Sequence, residues 1–172
     1  MVIALMGVAG SGKSSVGELL ARRLGWRFHD ADDFHPTRNR EKMRRGIPLD
    51  DNDRRPWLEA IRASIVHSSS AGEDAIYACS ALKQTYRQLL APDAAEVKFV
   101  YLKGSQELIA ERLAKRHGHF FDPALLQTQF DNLEEPHGVL VMDISSPPET
   151  IADSISVALG LKQSSVSRQR SA

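Results

Sequence analysis

The chain has 172 residues, 42% of them hydrophobic, with 22 basic and 22 acidic side chains. That length suits one domain with a sizeable core, and a formal charge of zero argues against nucleic acid or an anionic membrane surface as a partner. The single cysteine, Cys79, excludes an intramolecular disulfide, and no run of about eighteen apolar residues exists to span a membrane.

The chain opens on an apolar run, Val2-Ile3-Ala4-Leu5-Met6, which reads as a buried strand. No leader precedes it, so a cytoplasmic location is expected. Directly after it stands Gly7-Val8-Ala9-Gly10-Ser11-Gly12-Lys13-Ser14, the pattern G-x-x-x-x-G-K-S. Strand, Gly-rich turn and helix are the context a phosphate-binding loop requires. The glycines let backbone N–H groups curl toward phosphate oxygens, Lys13 reaches the β- and γ-phosphates, and Ser14 holds Mg²⁺. A helix over about Lys13 to Leu24, which includes Ser15, adds its positive N-terminal end. Binding of ATP or GTP is expected.

A strand over Trp26–His29 leads into Asp30-Ala31-Asp32-Asp33. Two acids at alternate positions can share one site. Phosphoryl transfer needs a held Mg²⁺ and a carboxylate that orients the acceptor hydroxyl and takes its proton. Asp30 is assigned to the metal, through water, and Asp32 to the hydroxyl. Pro36 to Arg45 is polar and positively charged, with a short helix closed by Gly46. Most of the cations between His35 and Arg55 should face water; one or two are available to an anionic substrate. Asp51-Asn52-Asp53 opens like a calcium loop, but Arg55 and Pro56 break that pattern, so the acids read as loop and cap residues. Asp53 is expected to cap a helix bearing Leu58, Ile61 and Ile65 on one face, with a loop from Ser68.

A third strand, Ala75–Cys79, precedes a helix expected from Ser80 to about Leu90. Lys83 and Arg87 then share a helix face and can clamp a carboxylate or phosphate. A fourth strand covers Val97–Leu102, and Ser105 caps a helix running to about Arg116. Arg112, Lys115, Arg116 and His117-Gly118-His119 form a basic segment between helices, the make-up of a closing lid over about 116–124. Such lids bring Arg to the transferring phosphoryl group and exclude water. Asp122-Pro123 starts a further helix, Val139–Ile144 is a fifth strand, and Pro148–Leu161 is the last helix. Asp143 imitates a metal-binding strand-end acid but ranks below Asp30, because its run is the last strand. Residues 163–172 are expected to fray.

Strands that alternate with helices imply an α/β domain over residues 1–162, its parallel sheet covered on both faces. Ligands then bind beyond the carboxyl ends of the strands, where the phosphate loop, Asp30, Asp32 and Ser80 can meet. No Asp-x-x-Gly or Asn-Lys-x-Asp string occurs. A small-molecule kinase therefore fits better than a switch GTPase.

Whole strings of the chain resemble the gluconokinase family. They include Asp30-Ala31-Asp32-Asp33-Phe34-His35-Pro36, Asn39-Arg40-Glu41-Lys42-Met43, Gly46 to Leu58, Cys79 to Arg87, Lys115 to Phe121 and Gln129 to Pro136. The resemblance implies a P-loop kinase of the shikimate and nucleoside monophosphate kinase type, with sheet order 2-3-1-4-5. It implies transfer of the ATP γ-phosphoryl group to the 6-hydroxyl of D-gluconate, with Mg²⁺, in a homodimer. Lys13, Asp32 and Arg116 are the expected catalytic residues. Gly7 to Ser15, with Arg112 and Arg116, are expected on the nucleotide. Asp32, His35, Asn39, Lys42, Ser80, Lys83 and Arg87 are expected on the substrate, and a substrate-binding region is expected over about 35–68. Ala31 departs from the Gly common between the two acids, and the loop before the fifth strand is short; neither touches the proposed chemistry.

Overall fold

The computed structural model describes residues 1–91, 97–115 and 123–162. Five strands, β1 (Val2–Met6), β2 (Arg27–Asp30), β3 (Ala75–Ala78), β4 (Val97–Lys103) and β5 (Leu140–Asp143), form one parallel sheet in the order β2-β3-β1-β4-β5. This is the order that the resemblance implies. β1 lies at the centre, and all five of its residues are buried. A strand covered on both faces has no polar side to show, which is why it reads as an unbroken apolar run.

Successive side chains of β1 enter opposite layers, as the pleat requires. Ile3 and Leu5 join a core with Val16 and Leu20 of α1 (Lys13–Leu24), Ile109 of α5 (Gln106–Ala114), and Ile151 and Ile155 of α7 (Pro148–Ala158). Val2, Ala4 and Met6 pack with Trp57, Leu58, Ile61 and Ile65 of α3 (Asp51–Ser70) and Leu90 of α4 (Gln84–Leu90). Two further α-helices, α2 (Thr37–Arg44) and α6 (Pro123–Asp131), complete the described set.

Three local expectations are corrected. Asp50, not Asp53, is the N-cap of α3: its carboxylate accepts from the Asp53 N–H, and the Asp53 side chain returns to the Asp50 N–H. The acids are thus a reciprocal capping box. The helix continues to Ser70, beyond the loop expected at Ser68. α4 begins only at Gln84. Ala81 sits at φ 43°, outside the helical region, and the carbonyls of Ala81 and Leu82 accept from the Arg87 guanidinium, both at 2.9 Å. Leu82 also accepts from the Glu134 N–H, and Gln84 N–H is capped by the Glu134 carboxylate. These ties hold Ser80–Lys83 as a loop. Ser105 does cap α5, by accepting from the Leu108 N–H. The tail expected over 163–172 and nearly all of the expected lid lie outside the described residues.

Candidate active site

The turn between β1 and α1 is held in shape by its own lysine. Lys13 Nζ donates to the carbonyls of Gly7 and Val8 at 3.0 and 2.9 Å. Gly10 is at φ 81°, and a Cβ there would lie 2.9 Å from Leu113. Only glycine meets both conditions without strain. Gly7 joins the turn to the neighbouring strand end by donating its N–H to the Ser80 carbonyl. Ser11 is fully buried, and its Oγ has no hydrogen-bond partner among the described residues.

A cleft of about 710 Å³ opens above this turn. Ala9, Gly10, Gly12, Lys13, Ser14 and Ser15 form its floor. Asp30, Asp32 and Ser80, from the ends of β2 and β3, form one wall, and Arg112 and Gln129 contribute on other sides. Residues far apart in sequence therefore meet at the carboxyl ends of the strands. Asp143 does not line the cleft; it ends the edge strand, where its carboxylate accepts from the Ser145 N–H.

The two acids are differently held. Asp30 Oδ2 accepts from Ser14 Oγ at 2.7 Å, while Oδ1 accepts from the Asp32 N–H at 3.0 Å. Asp32 stands in a 3-10 turn, Ala31–Phe34, with its carboxyl free of these bonds. Burial, reinforced by the Asp30 charge, pushes its carboxyl above the usual carboxylate range, against the opposing pull of Lys13. Ser14 and Asp30 offer hard oxygen donors that suit Mg²⁺. Among the described residues no group of three or more His, Cys, Asp or Glu side chains could hold a metal. An ion bound here would therefore lean on water and phosphate oxygens, as Mg²⁺ does.

The remaining expected substrate residues are not on the cleft wall. His35 is buried, its ring stacked on Trp57 with centroids 4.5 Å apart and planes 7° apart. Burial, with the charges of Arg40 and Arg54, lowers its pKa to about 4, so it is neutral near pH 7. Asn39 Nδ2 donates to the Asp53 carbonyl at 2.7 Å. Lys42 Nζ pairs with the Asp53 carboxylate at 2.6 Å, which holds that carboxyl below its usual range. These groups bind α2 to α3.

Lys83 and Arg87 do not share a helix face as their spacing predicts. Lys83 precedes α4 and pairs with Asp51 at 2.9 Å, in a cluster where Asp51 also accepts from the Tyr86 hydroxyl. Arg87 is 9% exposed, turns back onto the Ala81 and Leu82 carbonyls, and faces a separate cavity of about 630 Å³ with Gln84 and Phe99. Arg112 reaches the cleft and donates to the Ile144 carbonyl. Arg116 lies outside the described residues.

Sequence reasoning missed two contributors. Gln129 Oε1 accepts from the Ala9 N–H at 2.6 Å, which ties α6 to the phosphate loop. Trp57 Nε1 donates to the Ala31 carbonyl at 2.7 Å, beneath the acids. Nothing in the spacing marks either: Gln129 lies 120 residues from its partner, and Trp57 falls on the apolar face of α3 with Ile61.

The chain is similar to known proteins over most of its length. A shikimate kinase family model matches residues 9–137. The thermoresistant gluconokinase of Escherichia coli K12 is 44% identical over 157 residues, spanning 89% of this chain and 90% of that protein. A probable gluconokinase of Mus musculus is 47% identical over 152 residues, spanning 78% and 83%. The crystal structure of a gluconokinase from Sinorhizobium meliloti 1021 superposes with a TM-score of 0.82 at 42% identity, covering 92% of this chain and 91% of that one.

Proposed function

Since the chain belongs to the gluconokinase family, we infer that it transfers the γ-phosphoryl group of ATP to the 6-hydroxyl of D-gluconate, giving 6-phosphogluconate and ADP. The observation that carries this reading is the meeting of Lys13, Ser14, Asp30 and Asp32 around one cleft. The loop amides and Lys13 bind the phosphates and oppose the charge that spreads over them during transfer. Ser14 and Asp30 would hold Mg²⁺, Asp30 through water, and the ion would supply positive charge against the phosphates. Asp32 accepts the proton of the attacking hydroxyl, and its raised pKa makes it a stronger base than an ordinary aspartate. Arg112 and Ser80 line the same cleft; this reading assigns Arg112 to the nucleotide and Ser80 to the acceptor. A cytoplasmic homodimer belongs to the same reading, on the family resemblance; sedimentation in solution tests the dimer.

A coupled ADP-release assay over a panel of sugar acids, shikimate and nucleoside monophosphates tests the substrate. Gluconate should give the highest kcat/KM; a better turnover of shikimate or a nucleotide overturns the assignment. Asp32→Asn should keep ATP affinity and lose turnover by about two orders of magnitude. Retained turnover removes Asp32 from the proton-transfer role.

A further inference from the structure

The peptide between Ala31 and Asp32 is gripped at both of its polar ends. Its N–H donates to the Asp30 carboxylate at 3.0 Å, and its carbonyl accepts from the Trp57 indole at 2.7 Å. Trp57 is 4% exposed, and His35, the residue that closes the same 3-10 turn, stacks flat against it. The indole is therefore fixed in its own plane, so its N–H has one direction in which to point. A buried carbonyl that loses its donor keeps the desolvation cost, so the turn would shift to recover a partner. That shift would act on the Asp32 backbone, one bond from the side chain that faces the cleft.

We propose that Trp57 is a positioning residue for phosphoryl transfer: its indole N–H fixes the Ala31–Asp32 peptide so that the Asp32 carboxylate meets the acceptor hydroxyl. Trp57 does not line the cleft. Its effect passes through one hydrogen bond. Misplacement of a reacting group by about 1 Å is enough to cost on the order of a hundredfold in rate. The inference rests on Asp32 orienting the acceptor.

The test replaces the donor and keeps the ring. Trp57→Phe retains an aromatic surface for His35 but carries no N–H. Its kcat should fall about tenfold to a hundredfold, with KM for ATP within about twofold of the parent. Ile61→Val, on the same buried face of α3, should lower the melting temperature and leave kcat alone, which separates loss of packing from loss of the bond. A Trp57→Phe kcat within about twofold of the parent overturns the proposal, as does an equal kcat loss in Ile61→Val. If Trp57→Phe does not fold, β-(3-benzothienyl)alanine at position 57 decides between the same outcomes, because sulfur replaces only the N–H. Should Asp32→Asn turn over normally, the role of Asp32 fails and this one with it. Should Asp32→Asn be inactive while the position-57 variants keep full kcat, the positioning role alone fails.

Discussion

Ser14 at the start of α1 and Asp30 at the end of β2 are joined by a 2.7 Å hydrogen bond. The bond places a hydroxyl and a carboxylate side by side at the mouth of the phosphate loop. Asp30→Asn keeps the shape and removes the charge. The Mg²⁺ concentration for half-maximal activity should rise on the order of tenfold or more, the usual scale for a ligand acting through water. Titration of activity with MgCl₂ at saturating ATP measures it; an unchanged midpoint excludes Asp30 from the metal site.

His35 sets a pH dependence of stability. Its folded pKa, about 4, lies below the ordinary value of 6.5. Between these values the unfolded chain binds a proton that the folded chain does not. Stability from this group is complete above about pH 6.5 and is lost as pH falls toward about 4. The loss should be on the order of 2 kcal/mol after allowance for solvent screening. His29, lowered chiefly by burial, acts in the same direction. Thermal melts from pH 8 to 4 should show a shallower decline in His35→Gln than in the parent; parallel curves contradict the assignment.

Asn39 is 2% exposed and donates to the Asp53 carbonyl. Asn39→Ala leaves that carbonyl without this donor and should destabilise the fold by about 1–3 kcal/mol. Urea unfolding of the variant gives the value. A change below about 0.5 kcal/mol would make the tie dispensable.

Gly17 of α1 packs against the ring of Phe28 on β2. A Cβ at Gly17 would stand 2.6 Å from that ring. Gly17→Ala should therefore cost about 1–3 kcal/mol through overpacking, despite the better helix propensity of alanine. A variant that melts at or above the parent temperature would show that Phe28 can yield.

The layered architecture was legible because it depends on near-neighbour patterns. The apolar run of β1, the loop glycines and the Ser105 cap each announce a local conformation. The cleft was legible in part, since Lys13, Ser14, Asp30 and Asp32 lie at strand ends that any parallel sheet gathers on one side. The support of the acceptor wall was not. Lys83 and Arg87 have helical spacing, yet Ala81 leaves the helical region and Arg87 is drawn to carbonyls that no pattern of side chains reveals. Likewise Asp53 reads as a cap from its position alone. Its true place in a reciprocal box depends on Asp50, and its pairing with Lys42 bridges 11 positions.

The segments beside the Asp30, Asp32 and Ser80 wall of the cleft are braced through main-chain oxygen. Trp57 holds the Ala31 carbonyl, Arg40 those of Asp33 and His35, Asn39 that of Asp53, and Arg87 those of Ala81 and Leu82. A peptide oxygen is the same whatever side chain follows it. The scaffolding therefore does not inspect the identity of the residues it steadies, and their side chains are free to diverge while the framework beneath them keeps its form.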